Sequence, residues 1–171
     1  MAVACELPAS LRGVGAQELE KSEVLMLKNR GISDDDCLAI APYIARNLGL
    51  RQLYIGYNAF GDTGTAALCA ALGEAADAGA RLELPGLRHC RLGDAAARAV
   101  AELLRRCPAL GEVGVDENSI GDDGLAALSD ALADGNGLRR LYVGENDFGD
   151  AAKERLVAAG RAAGASVFFV R

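Results

Sequence analysis

The stretch LRRLYVGENDFGD, residues 138–150, nearly repeats LRQLYIGYNAFGD, residues 50–62. A duplicated catalytic loop, a duplicated ligand site and a stacked structural unit would each write one phrase twice. Only the stack requires the same pattern to recur in between. It does recur. Asn58 and Asn146 each stand two residues before a Phe and then Gly-Asp, and the same slot holds Asn118 in VGVDENSIGDDG, Cys90 in PGLRHCRLGDAA and Arg30 in LMLKNRGISDDD. The anchors at 30, 58, 90, 118 and 146 define a 28-residue unit, with one 32-residue interval before Cys90.

Two hydrophobic periods alternate inside each unit. Leu53 and Ile55, Val113 and Val115, and Leu141 and Val143 alternate with polar or small residues, as a strand with one buried face does. After Gly-Asp the spacing turns helical: Leu125, Leu128 and Leu132 form one stripe, with polar breaks at LSD and LAD on the other side, and Gly135 and Gly137 end the helix. Asp62, Asp94, Asp122 and Asp150 open such runs, where a carboxylate meets orphan N–H groups and the helix dipole. A strand with two open edges and a helix with a bare apolar stripe cannot stand alone, so the units stack into a parallel sheet backed by a helix layer. Asn58, Cys90, Asn118 and Asn146 then form an interior ladder whose amides bond to backbone of adjacent turns.

The motif L-x-x-L-x-L-x-x-[NC]-x-[LIF]-[GS]-D followed by a helix resembles the leucine-rich repeat, and its length is similar to that of the ribonuclease-inhibitor subtype, which also alternates Asn and Cys in the anchor slot. The resemblance implies an α/β solenoid: a short right-handed crescent with the parallel sheet on its concave face and helices on its convex face. Residues 1–20 read as an N-terminal cap and 21–171 as five repeats and a terminal strand, SVFFV. Two positions depart from the pattern. Arg30 replaces the anchor in the first unit, and Pro85 takes a strand leucine and removes a ladder donor. The four extra residues around GEAADAGA fit about one further helical turn on the convex side.

Bulk composition narrows the function. A 171-residue chain that is 51% apolar and 25% charged is long enough to fold around a core, and a net charge of −6 argues against gripping phosphate backbones. No nucleic-acid partner is expected. Glu6 and Pro8 interrupt any signal-peptide core, and no apolar run reaches the length of a membrane span. Cys5, Cys37, Cys69, Cys90 and Cys107 lack a C-x-x-C pair and read as reduced, mostly buried thiols, which points to the cytoplasm, with the nucleus as alternative. No metal, cofactor or catalytic motif is present. DENSIGDDGLAA lacks the oxygen ligands of an EF-hand at Ile120 and Ala127, SDDDC at Asp34 reads as a solvated helix start, and His89 and Cys90 point to opposite faces.

Stacking commits the inward residues and leaves the alternate strand residues free. These include Val24, Met26 and Lys28; Tyr54, Gly56 and Tyr57; Gly86, Arg88 and His89; Glu112, Gly114, Asp116 and Glu117; and Tyr142, Gly144 and Glu145. Tyr54, Tyr57, Arg88, His89, Asp116, Glu117, Tyr142 and Glu145 are the candidate partner-binding residues, since Tyr and Arg anchor protein interfaces. Lys28 and Arg88 precede an acidic group, so the face is expected to change sign and to suit a protein with a basic patch. The expected function is a non-enzymatic module that binds a folded protein. The alternatives are a structural subunit docked, or self-associated, through Val167, Phe168, Phe169 and Val170 on the terminal strand edge, and a GTPase regulator of the GTPase-activating type, one of the roles that the family resemblance implies beside ribonuclease inhibition and innate-immune sensing.

Overall fold

A computed structural model describes residues 7–169 of the chain. A 3-10 turn at Ala9–Leu11 and a short helix α1, Ala16–Lys21, precede β1, Val24–Met26. Then strand and helix alternate: α2 Asp34–Ala45, β2 Gln52–Tyr54, α3 Asp62–Asp77, β3 Leu84–Gly86, α4 Asp94–Arg106, β4 Glu112–Gly114, α5 Asp122–Ala133, β5 Arg140–Tyr142, α6 Asp150–Ala163 and β6 Ser166–Phe168. The six strands lie in chain order in one parallel sheet. Helices α2 to α6 pack side by side in chain order, each against its neighbours in sequence. Strands pack about 4.8 Å apart and helices about 8–10 Å, so the strand side is the inside of the curve.

The core lies between the layers. Leu25, Leu53, Val113 and Leu141 from the strands and Leu125, Leu128 and Leu132 from α5 are fully buried. Ser129, expected among the outward polar breaks, is buried instead, and its hydroxyl donates to the Leu125 carbonyl at 2.8 Å. The 32-residue interval appears as a longer helix, 16 residues in α3 against 12 in α5. Pro85 is buried, and the β3–β4 ladder is registered only at Gly86↔Gly114, whereas β2–β3 and β4–β5 each keep three register pairs. Leu11 and Leu19 close the core ahead of β1, and Asn47, buried at the end of α2, donates to the Leu19 and Ser22 carbonyls at 2.9 Å each.

The ladder residues bridge consecutive repeats. Asn58 Oδ1 accepts from the Arg30 and Ile32 N–H groups at 2.9 and 3.1 Å, and its Nδ2 donates to Leu27 of the preceding strand segment and to Ile55 of its own. Asn118 makes the same set with Cys90, Leu92, Leu87 and Val115; Asn146 keeps three of the four, with Ile120, Val115 and Val143, while the Asn118 N–H donates to the Glu145 carbonyl at 3.1 Å. Cys90 has only a thiol to offer, donating weakly to the Arg88 and Ile55 carbonyls at 3.3 and 3.6 Å. Burial pushes this thiol up to about 11, so it stays protonated near neutral pH. Arg30 keeps its backbone N–H in the ladder and turns its side chain back to the Arg12 carbonyl at 3.1 Å.

A second bridge corrects the reading of the aspartates. They do not cap their own helices. Asp62 Oδ1 accepts from the N–H groups of Gly93 and Ala96 at the start of α4, at 2.7 and 3.1 Å. Asp94 does the same for Gly121 and Gly124 at the start of α5, and Asp122 for Gly149 at the start of α6. Asp34, expected to be solvated, accepts from Gly61 and Gly64 at 2.9 and 2.6 Å. The glycine three residues into the bonded turn is space for that carboxylate: a Cβ would lie 2.7 Å from Asp34 Oδ1 on Gly64 and 2.6 Å from Asp94 Oδ1 on Gly124. Helix α2 receives no such carboxylate from the described residues before it and is closed by its own capping box, Ser33 with Asp36.

Two measurements check these bridges. Asn58→Leu strands buried backbone donors and acceptors and is expected to cost about 2–4 kcal/mol by urea denaturation, whereas Lys28→Ala changes stability by less than about 0.5 kcal/mol. Asp94→Ala is expected to cost about 1 kcal/mol, and amide hydrogen exchange should rise at Gly121 and Gly124 in the next repeat rather than in the first turn of α4.

Candidate protein-interaction face

The outward residues of the strands lie in columns because the sheet is parallel and in register. One column runs Met26, Tyr54, Gly86, Gly114, Tyr142 and Phe168, from the paired positions of successive strands. The next outward position, one step beyond each inward residue, gives Lys28, Gly56, Arg88, Asp116 and Gly144. The residues immediately before the anchors form a third column: Asn29, Tyr57, His89, Glu117 and Glu145 all have left-handed backbone, with φ between 53° and 59°. Outside glycine and asparagine this conformation costs roughly 1–2 kcal/mol. It turns the chain so that the anchor after it points inward, and it places Tyr57, His89, Glu117 and Glu145 along the rim. Asn29, a residue that tolerates this region, was the one visible sign of it in the sequence.

The aromatic residues are paired rather than scattered. Tyr57 and His89 stack with ring centroids 5.4 Å apart, and Tyr142 stacks on Phe168 at 4.9 Å. Tyr54 carries Lys28 over its ring at 5.0 Å and donates its hydroxyl to Gln52 Oε1 at 3.1 Å. Val24 and Met26 are exposed beside it. The strand face near β1 and β2 is thus apolar and aromatic, and Phe168 extends this character at the β6 end.

The charged residues are arranged differently from the expected sign change. Asp116 belongs to the outward column but is only 4% exposed, which corrects its reading as a surface contact. Arg88 lies over it: Nε is 3.0 Å from Asp116 Oδ2, close enough for Coulombic pairing but out of line for a directed hydrogen bond, while Nη2 donates to Glu117 Oε1. The Arg88 guanidinium also sits 5.7 Å from the centre of the Tyr57 ring. His89 Nδ1 is 3.4 Å from Glu117, and Arg140 is 3.3 Å from Glu112. The ion pairs thus cross neighbouring strands, with Arg88 facing two carboxylates and Arg140 one. Glu145 stays exposed with no ion pair among the described residues.

Of the candidate residues, the structure brings Tyr57, Arg88, His89, Asp116 and Glu117 into one cluster, leaves Tyr142 with Phe168 in a second, and leaves Tyr54 and Glu145 at separate points. Cys90 lies inside beneath His89, as the opposed orientation of the two residues requires. On the terminal strand, Val167 and Phe169 pack on the core and Phe169 meets Phe148 edge-on at 5.8 Å, so of these three apolar residues Phe168 is the exposed one. Val170 lies outside the described residues. Sequence reasoning missed Phe168 as the backing of Tyr142, because the pairing of β6 beside β5 sets that contact.

Comparison with known proteins agrees with this geometry. The family model described as Leucine Rich repeat matches residues 47–69. The pig (Sus scrofa) ribonuclease inhibitor is 36% identical over 115 residues, which is 67% of this chain and 24% of that protein. NACHT, LRR and PYD domains-containing protein 12 from Mus musculus is 32% identical over 108 residues, 63% of this chain and 10% of that protein. The leiomodin-1 structure titled Actin-Binding Site 2 superposes with a TM-score of 0.50 at 13% identity, covering 84% of this chain and 69% of that one, which is a likeness of fold. The chain spans a quarter or less of the length of these curated relatives. The fold is an α/β solenoid of leucine-rich repeats. Within that class the chain is a leucine-rich repeat protein of the ribonuclease-inhibitor type.

The central ion cluster is open to a direct check. Arg88→Met leaves the buried Asp116 carboxylate without its countercharge and is expected to cost about 3 kcal/mol, whereas the double variant Arg88→Met, Asp116→Leu recovers most of that loss. Urea midpoints of the two variants decide it, and an additive double variant would refute the pairing.

Proposed function

We propose that this chain is a non-enzymatic protein-interaction module that binds a folded protein partner through its strand face. The observation that carries the reading is the division of labour among strand residues: the inward set of β1 to β5 is buried, while Tyr54, Tyr57, His89 and Tyr142 have no core duty and are held in place by stacking or cation contacts. Preorganised aromatic side chains give large contact area at low entropic cost, the property of interface hot spots. The relatives support the general class. One is named for inhibiting a ribonuclease and one structural neighbour for binding actin. Four free, buried thiols, Cys37, Cys69, Cys90 and Cys107, support a reducing compartment, cytoplasmic or nuclear.

A basic patch on the partner would have to meet Glu145, since Glu112, Asp116 and Glu117 already face arginines. The competing reading, docking as a structural subunit or self-association through β6, draws on Phe168, which is 37% exposed. Affinity capture with crosslinking separates the two. Tyr54→Ala and Tyr57→Ala are each expected to weaken the captured partner about tenfold or more, with Leu38→Ser on the helix side leaving it unchanged. A partner, or a dimer on size-exclusion chromatography, lost only with Phe168→Asp would instead select the strand edge.

A further inference from the structure

We infer that the strand face reads an extended stretch of its partner in which an acidic, an apolar and a basic residue point to one side at fixed spacing. The inference rests on the interaction reading above and names the chemistry of the partner at that face.

Two observations carry it. The first is which charges are left over. Arg88 is occupied by Asp116 and Glu117, and Arg140 by Glu112. Among the described residues Lys28 and Glu145 are exposed and enter no ion pair, and Lys28 is held above the Tyr54 ring rather than by a carboxylate. Lys28 follows β1 and Glu145 follows β5. Four strand steps separate them, about 19 Å. The face therefore offers one positive and one negative valence at a set distance.

The second observation is a hollow between them. It has a volume of about 120 Å³, lies over Gly56, Gly86 and Gly114, and is lined by Tyr54, Tyr57 and Leu84 together with the charged Lys28, Arg88 and Glu112, the last two already paired with neighbours. Gly56 is glycine of necessity, because a Cβ there would lie 2.7 Å from the Arg88 carbonyl oxygen. Gly86 is not. Its φ is outside the left-handed region, and a Cβ would meet nothing nearer than Tyr54 Cδ1 at 3.5 Å, an ordinary contact. The missing side chain at 86 is spare room, and the side-chain atoms nearest to it are carbons, Tyr54 Cδ1 at 3.5 Å and Leu84 Cδ2 at 3.7 Å. That room suits one aliphatic side chain, against about 30 Å³ for a single water.

An extended chain advances about 3.3 Å per residue and shows alternate residues on one side. A segment crossing the strands would then place an acidic residue on Lys28, an apolar residue two positions on in the hollow, and a basic residue six positions on at Glu145, since six steps span about 20 Å. The charges fix the register and the hollow supplies the apolar contact.

The probes are three seven-residue peptides with Leu third and Ser elsewhere, whose first and seventh residues are acid and base, acid and acid, or base and base, measured by fluorescence anisotropy at low salt. The folded chain is expected to bind the acid–base peptide about threefold to tenfold tighter than either other. Lys28→Glu should rank the base–base peptide first, Glu145→Lys the acid–acid peptide, and Gly86→Val should weaken all three, with circular dichroism confirming that each variant is folded. One ranking common to all three proteins, binding unchanged by Gly86→Val or by Leu→Ser in the peptide, or no binding at millimolar peptide overturns the inference. If the captured partner is still lost with Tyr54→Ala, the interaction reading survives that result; a partner indifferent to Tyr54→Ala and Tyr57→Ala removes the interaction reading itself.

Discussion

Buried backbone groups must find hydrogen-bond partners, and in this fold each coil leaves some of that work to its neighbour. The Asn58, Asn118 and Asn146 amides hold the turn before them, and the Asp34, Asp62, Asp94 and Asp122 carboxylates hold the helix start after them. No repeat is satisfied alone. The bonds run across 26 to 34 residues of chain, and those of Asp62 span the four extra residues, so a change in the length of a unit is tolerated where the added chain loops clear of the bonded atoms. The longer α3 shows where that is: the extra turn lies at the far end of the helix, away from both the Asn ladder and the Asp62 bridge.

The same bridges explain how the strand face is set apart. Turning the anchor inward requires left-handed backbone one residue earlier, and this fixes Tyr57, His89, Glu117 and Glu145 along one rim. Their side chains then meet neighbours on adjacent repeats, which gives the Tyr57–His89 stack and the Arg88–Glu117 pair. A face held by such cross-strand contacts loses little entropy on docking. Arg88 engages both Asp116 and Glu117, and Arg140 engages Glu112, which leaves Lys28 and Glu145 at the ends of the face outside these ion pairs.

Much of this was legible in the sequence. The anchor spacing, the alternation at Leu53 and Ile55 and the helical stripe at Leu125, Leu128 and Leu132 set the repeat, its layers and the inward row, because periodicity reports which side of an element is buried. The aspartates were legible as helix starts, yet their partners were not: a carboxylate at the first helical position can reach its own first turn or the next repeat, and a one-dimensional pattern scores both alike. The Ser33 in place of glycine before Asp34 was the local trace of the difference, since only the first long helix caps itself.

What the sequence by itself determined is the stack: a strand and a helix that each bury one side have a single economical solution, and the repeated anchor names it. What only the tertiary structure decided is how outward residues meet across strands. Asp116 sits in the exposed register and is buried by Arg88, Phe168 becomes the support of Tyr142, and Lys28 and Glu145 are left over. These contacts join residues about 28 positions apart, and they depend on side-chain reach and rotamer over a curved sheet, which hydrophobic periodicity does not encode.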